Sequence, residues 1–288
     1  MVRFMRGLPT PDYNESAARP GTQPQPAHAA GRTFTGVIGA ACNLPLRGII
    51  HVCVALGISP NVLTFVGVVI NITAAVLLGV GAFRTAGVTM VVANIFDFID
   101  GKVARARNRE TPFGAFWDSV MDRFSDITLF IGLVHLYAER GRTDYVIITA
   151  LAMMFAVMTS YTRARAESII EKCKVGFMER PERIVLFMIG AFTNRMAAVL
   201  WVILVLSIVT VADRIYYTWR ETHGVKEGKK SLPALVFWRA FFWTDDRATW
   251  QYDLWVIAIL AFTWLTPPAW INDPMTSGPG LIGWLLNR

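Results

Sequence analysis

Charge is the first thing this sequence lacks. Only 17% of its 288 residues are Asp, Glu, Lys or Arg, against 54% hydrophobic. An ordinary soluble domain carries about 25% charge, so that class is excluded. A bare membrane anchor is excluded too, because the net charge is +7 and the mean hydropathy is a moderate +0.42. Cysteine is equally scarce: Cys42, Cys53 and Cys173 form no CxxC or paired pattern, which excludes a disulfide framework and a zinc site. His28, His51, His135 and His223 are scattered without HExxH spacing, and no Gly-rich nucleotide loop is present. The N-terminus lacks the continuous apolar core of a signal peptide. With the Pro-rich "PGTQPQPAHAAGRT" that follows, residues 1–34 read as a flexible cytosolic tail. There is no internal repeat.

What remains is a set of long apolar runs. A helix that crosses a bilayer needs roughly 20 apolar residues. Runs of that kind fall at about 61–82, 85–106, 114–138, 144–166, 182–212 and 252–272. The expected fold class is therefore an all-α integral membrane protein with six transmembrane helices. Residues 35–58 mix Pro45, Arg47 and His51 with apolar residues, and are expected to form an amphipathic juxtamembrane helix lying on the interface. Spans 1–5 make a catalytic transmembrane domain over 59–212. Residues 213–250 are expected to be a long loop with an interfacial helix, and 251–288 the sixth span and a C-terminal tail. Trp264, Trp270 and Trp284 suit interfacial anchors.

Lys and Arg concentrate in the connections after span 2 (Lys102, Arg105, Arg107, Arg109) and after span 4 (Arg163, Arg165, Lys172, Lys174, Arg180, Arg183). Short basic loops stay in the cytosol, which places these two connections and both termini there. The basic loop after span 5, with Lys226, Lys229 and Lys230, disagrees with that alternation.

The acids are in an unexpected place. Asp97 and Asp100 fall on one face of span 2 with Ala104, and Gly114, Asp118, Asp122 and Asp126 recur every fourth residue on span 3. Carboxylates are expensive inside a membrane unless they face a wet cavity and a partner. Converging oxygen ligands suit Mg²⁺ or Mn²⁺, with Ca²⁺ a further option, and two such ions suit phosphoryl chemistry. Gly101 and Gly114 let a phosphorylated group approach the backbone, and Lys102 and Arg105 add positive charge.

The run from Asp97 to Asp122 resembles the signature of the CDP-alcohol phosphotransferase family, Asp-x2-Asp-Gly-x2-Ala-Arg-x8-Gly-x3-Asp-x3-Asp. Every fixed position is present: Asp97, Asp100, Gly101, Ala104, Arg105, Gly114, Asp118 and Asp122. "SPNVLTFVGVVINI" is similar to the family's usual lead-in, so the likeness extends over roughly residues 40 to 212. The resemblance implies Asp97, Asp100, Asp118 and Asp122 as ligands of two Mg²⁺ or Mn²⁺ ions, with Asp122 also the general base. It implies a CDP-linked lipid, CDP-diacylglycerol, against Gly101, Ala104, Arg105 and Gly114, with Asn61, Thr64 and Thr111 as further candidates. CMP would leave as the acceptor alcohol attacks phosphorus on the lipid side. A homodimer in the plasma membrane, its site facing the cytoplasm and without a nucleic-acid partner, completes that expectation.

The acceptor is sought in "SYTRARAESIIEKCKVGFMERPERIVLFMIG". Ser160, Arg163, Arg165, Arg180 and Arg183 gather at the cytosolic ends of spans 4 and 5, and guanidinium forks match phosphate oxygens. The stretch is similar to runs of the phosphatidylinositol phosphate synthase branch, which implies inositol phosphate, although that branch more often has Lys where Arg163 stands. Arg123 either reaches an acceptor phosphate or pairs with Asp126. Glycerol 3-phosphate, used by a phosphatidylglycerophosphate synthase, is the nearest rival acceptor. An intramembrane cation transporter would explain the acids but not Gly101, Ala104, Arg105 and Gly114 at their spacing, and an inactive scaffold would not need the full acidic set.

Overall fold

A computed structural model of the chain describes residues 48, 50, 53–106, 111–224 and 250–275, without the side chains of 250–253. The chain divides into two units at Gly48 and Ile49, and the fold described below belongs to the second. Among the described residues there are seven helices: Pro60–Gly79 (α1), Phe83–Ala106 (α2), Pro112–Glu139 (α3), Thr143–Ala166 (α4), Arg180–Thr193 (α5), Met196–Thr222 (α6) and Trp250–Leu265 (α7). Three of the starts carry proline in the first turn, at Pro60, Pro112 and Pro181. There the ring presets φ and the missing N–H has no helical partner to lose.

α1, α4 and α6 are long and apolar enough to cross a bilayer, with mean hydropathies of 2.3, 1.6 and 2.4. α2 and α3 have the length but carry the acids. α1 exposes Val62, Phe65, Val69, Ile72 and Val76, spaced alternately by three and four residues, an apolar stripe that suits hydrocarbon rather than water. On the inside, Leu78, Met90, Leu129, Leu133, Tyr137, Tyr145, Phe187 and Leu200 belong to one core that unites α1 to α6.

Small residues set the helix spacing. α1 and α3 cross so closely at Ala75 and Gly132 that a Cβ on Gly132 would lie 2.1 Å from the Ala75 carbonyl oxygen. Without a hydrophobic drive between helices in lipid, such close backbone contact is what holds a pair together.

The expected span 182–212 is two helices. Asn194 takes a left-handed conformation (φ 55°), and the Arg195 amide donates to the Gly190 carbonyl at 2.9 Å, which closes α5 and starts α6. Asparagine tolerates that conformation where other side chains do not. The segment expected as loop from 213 onward is also corrected, since α6 continues to Thr222. Its extra turns are held by the connection between α4 and α5. Met178 N–H donates to the Thr210 hydroxyl and Arg214 Nε to the Val175 carbonyl, both at 3.0 Å.

The α1–α2, α3–α4 and α5–α6 turns lie at one end of the bundle and the acids at the other. Residues after α7 fold onto the turn end: the Thr266 carbonyl accepts from Arg195 at 3.1 Å, the Asn272 carbonyl from Arg142 at 2.6 Å, and the Ile271 carbonyl from Tyr145. The tail over 1–34, most of the interfacial helix over 35–58, the basic segment 225–249 and Trp284 lie outside the described residues; within 35–58, residues 48, 50 and 53–55 are helical.

Gly132→Ala is expected to force α1 and α3 apart and destabilise the protein by about 1–3 kcal/mol or more, an overpacking effect. Thermal unfolding in detergent checks it, and an unchanged midpoint would show that the crossing yields easily.

Candidate active site

α2 and α3 bring their acids together at the end away from the turns. Carboxylate oxygens of Asp97, Asp100 and Asp118 all lie within 4.8 Å of one another. Asp100 is buried and accepts a hydrogen bond from the Thr64 hydroxyl of α1, which fixes its orientation. At the start of α3 the Thr111 hydroxyl caps the helix, accepting from the Gly114 amide at 3.0 Å. A Cβ on Gly114 would sit 3.1 Å from that hydroxyl, so a larger residue would press on the cap and on the space beside Asn61.

Asp122 stands outside the trio of acids and faces α5. Arg180 Nη1 lies 2.8 Å from Asp97 Oδ2 and 2.9 Å from Asp122 Oδ1. A positive charge is thereby wedged between two acids that would otherwise repel each other. One turn on, Asp126 Oδ2 accepts from Arg183 Nη2 at 2.6 Å.

Two clefts open on either side of this group. The first, about 350 Å³, is lined by Asp100 and Asp118 together with Asn61, Thr64, Gly101, Ala104, Arg105, Thr111 and Gly114. All seven residues expected against a CDP-lipid thus face one space. Arg105 is drawn back by a hydrogen bond from Nε to the Gly101 carbonyl, 3.1 Å. Lys102, expected to add phosphate-binding charge, is not among the lining residues, and its ammonium lies 4.7 Å from the Phe98 ring centroid.

The second cleft, about 390 Å³, is lined on one side by Asp122, Arg123 and Asp126 and on the other by Ser160, Arg163, Glu167, Glu179, Arg180 and Arg214. Four of the expected acceptor residues, Arg123, Ser160, Arg163 and Arg180, are here. The other two are not. Arg165 bonds Ser168 at 3.2 Å and does not line the cleft. Arg183 is 2% exposed, and the second bond from its guanidinium goes to the Thr159 hydroxyl at 3.0 Å. The alternative pairing of Arg123 with Asp126 is replaced by that of Arg183 with Asp126, and Arg123 donates instead to the Ser119 carbonyl.

Arg214 was not anticipated. It is 2% exposed and bonds Glu179 at 3.1 Å, as well as the carbonyls of Val175 and Thr159. The available signal was an ionisable residue within an apolar run, "SIVTVADRIYY", which in a membrane helix marks a buried partner or a site.

The donor set of the first group suits a divalent metal. Three carboxylates, close enough to share an ion and offering only hard oxygen ligands, fit Mg²⁺, Mn²⁺ or Ca²⁺ rather than zinc.

The family model for CDP-alcohol phosphatidyltransferase matches residues 57–213, a stretch that contains the first cleft and every lining residue of the second but Arg214. The chain is 34% identical over 169 residues to a phosphatidylinositol phosphate synthase of Mycobacteroides abscessus, a match covering 56% of this chain and 77% of that one. It is 32% identical over 171 residues to an archaetidylinositol phosphate synthase of Methanothermobacter thermautotrophicus, covering 57% and 85%. The fold is similar to the crystal structure of Mycobacterium tuberculosis phosphatidylinositol phosphate synthase with CDP-DAG bound, with a TM-score of 0.59 and 28% identity over 64% of this chain and 98% of that one. The same enzyme in complex with manganese and citrate matches with a TM-score of 0.56 and 26% identity, over 66% and 97%. With the complete acidic signature and this match over more than half its length, the chain belongs to the CDP-alcohol phosphatidyltransferase family.

Proposed function

We propose that the protein transfers a phosphatidyl group from CDP-diacylglycerol to inositol phosphate and releases CMP. The observation that carries this reading is the arrangement of two clefts on either side of one acidic group, the first lined by signature residues and the second by arginines. The likeness to a structure holding CDP-DAG supports the first half of the reading, and the likeness to inositol phosphate synthases supports the second.

Asn61, Thr64, Gly101, Ala104, Arg105, Thr111 and Gly114 hold the cytidine diphosphate. Asp97, Asp100, Asp118 and Asp122 would hold two Mg²⁺ or Mn²⁺ ions, which would supply neutralisation of negative charge on the diphosphate and the leaving CMP. In the second cleft Arg123, Ser160, Arg163 and Arg180 hold the acceptor, with Arg214 shaping the wall. The acceptor hydroxyl oxygen bonds to the lipid-side phosphorus as the bond to the CMP oxygen breaks, and Asp122 takes the hydroxyl proton. A carboxylate is a weak base for an alcohol, so positioning by the two clefts supplies much of the rate.

In the membrane, the acidic end of α1 to α6 lies in the cytoplasm of the cell membrane, and α7 covers most of the expected sixth span over 252–272. Counting α5 and α6 separately moves the basic segment after α6 to the same side as the other basic connections, which removes the disagreement in the charge pattern. The active form is a homodimer, as family membership supports.

Purified protein given Mg²⁺ and CDP-diacylglycerol is expected to release CMP with inositol 1-phosphate and not with glycerol 3-phosphate, free inositol or serine. Turnover with glycerol 3-phosphate alone would retain the transfer and overturn the acceptor. Asp122→Asn is expected to lower turnover by about 10²–10⁴-fold, the range for loss of a general base, while CDP-diacylglycerol still binds. Normal turnover in that variant would remove Asp122 from its role. Arg105→Ala is expected to weaken CDP-diacylglycerol binding about tenfold or more, since a charge-assisted contact to a phosphate is lost. Titration with the lipid checks it, and undiminished affinity would place the diphosphate elsewhere.

A further inference from the structure

α7 and the residues after it lie beyond the stretch matched by the family model, which ends at residue 213, and they have no part in the transfer described above. Their place follows from connectivity. α6 starts beside the turns at Met196 and runs past Arg214, which lines the second cleft, to Thr222 at the acidic end. The residues after α7 are back at the turn end, so the chain crosses the bilayer once more between these points. Composition says where. Within 225–249 the longest run without Asp, Glu, Lys or Arg is 231–238, too short for a span, whereas 254–272 contains none of the four and matches the ~17–25 residues that a span takes. α7 fills most of that stretch. Its 16 residues reach about 24 Å, slightly less than the hydrocarbon thickness, a mismatch that local thinning of the bilayer absorbs. Its side chains suit the same place: Ile259, Thr263 and Thr266 form a narrow buried stripe, while Leu254, Ile257 and Phe262 are exposed, as on a helix with one edge on protein and the rest in lipid. Trp264 and Trp270, 68% and 74% exposed, stand where α7 meets the turn end and suit the headgroup layer.

Residues 266–275 reach all three turns. The Thr266 carbonyl accepts from Arg195, between α5 and α6, at 3.1 Å. At the start of α4, the Ile271 carbonyl accepts from the Tyr145 hydroxyl and the Asn272 carbonyl from Arg142. Met275 covers the α1–α2 turn, its Cε 3.8 Å from where a Cβ on Gly81 would stand. The segment is also tied to itself: the Asp273 amide donates to the Pro268 carbonyl at 2.9 Å and the Met275 amide to the Asp273 carboxylate at 2.8 Å. We infer that α7 is a seventh crossing of the membrane, and that residues 266–275 form a clasp on the non-cytoplasmic face that ties the three turns together. An odd number of crossings puts the clasp on the side opposite the active site, whereas the six spans expected from the sequence would have returned the chain to the cytosol. The side assigned to the clasp rests on the orientation proposed above; its place against the turns does not.

The test is labelling of added cysteines with a membrane-impermeant maleimide, in intact cells that express the full chain and in inverted vesicles made from them. Three exposed positions outside both clefts carry the probe: Ala269→Cys in the clasp, Glu139→Cys at the turn end and Glu171→Cys between α4 and α5. The unaltered chain is the blank, with Cys53 and Cys173 buried. Ala269→Cys and Glu139→Cys are expected to label in intact cells, and Glu171→Cys only in inverted vesicles. Labelling of Ala269→Cys on the side of Glu171→Cys would overturn the inference. If Glu139→Cys and Glu171→Cys exchange sides, the orientation falls instead, and Ala269→Cys labelling together with Glu139→Cys still upholds the crossing. Trp270→Cys, at the neighbouring exposed position, decides the matter if Ala269→Cys does not accumulate. Thermal unfolding in detergent tests the clasp by itself. Tyr145→Phe and Arg195→Met each remove a donor to it, and each is expected to lower the midpoint by about 2–4 °C, the effect of one lost hydrogen bond in a chain of this size. Unmoved midpoints in both variants would overturn the clasp.

Discussion

Everything at the working end of this protein depends on carboxylates that cannot be left alone. Asp97, Asp100, Asp118, Asp122 and Asp126 project from two adjacent helices into a region that water reaches only through clefts. Repulsion among them, and the loss of hydration, would open the bundle if nothing opposed it. The opposing charge comes from α5, where Arg180 lies between Asp97 and Asp122 and Arg183 is buried against Asp126. The trio of Asp97, Asp100 and Asp118 is left as the set of oxygen ligands suited to a divalent cation. Position relative to α5 thus divides one acidic face into a metal-facing part, Asp97, Asp100 and Asp118, and an arginine-facing part, Asp122 and Asp126, with Asp97 shared between them through its contact with Arg180.

That division also explains why there are two clefts rather than one. The first follows the signature along α2 and the start of α3, with the amide–hydroxyl cap at Thr111 and Gly114 keeping its floor open. The second is built from more distant parts: α3, the end of α4, the start of α5 and Arg214 of α6. Its shape depends on the connection between α4 and α5, which α6 clamps through Thr210 and Arg214. At the other end, glycine-mediated contact between α1 and α3 and the residues after α7 hold the turns in place. A rigid frame at one end lets the opposite end carry strained electrostatics.

The parts of this arrangement that were legible in the sequence are those governed by helical period. Asp97 with Asp100, and Gly114 with Asp118 and Asp122, share faces by spacing alone, so both acidic stripes and the first cleft could be read from local sequence. The second cleft was legible only in part, because basic residues near a helix end look alike whether they face a cavity, a neighbour or solvent. Arg163 and Arg180 reach the cleft, Arg165 bonds locally to Ser168, and Arg183 is buried; tertiary packing alone decides among them. Asn194 was hidden by the long apolar runs that flank the short polar stretch Thr193–Asn194–Arg195, although one left-handed residue suffices to turn two helices back to back. The end of α6 was read as loop because the stretch from 213 to 250 mixes Lys226, Lys229 and Lys230 with apolar and aromatic residues. Arg214 and Tyr217, packed under the α4–α5 connection, keep it helical instead.

The central claim is that Asp97, Asp100 and Asp118 hold a divalent cation while Arg180 occupies the space beyond them. Binding of Mn²⁺ to the purified protein, followed by electron paramagnetic resonance, tests it most directly. The account predicts bound Mn²⁺ in the unaltered protein, its loss in Asp97→Asn, Asp100→Asn and Asp118→Asn, and its retention in Asp126→Asn. Undiminished Mn²⁺ binding in the first three variants, or no binding by the unaltered protein, would contradict it.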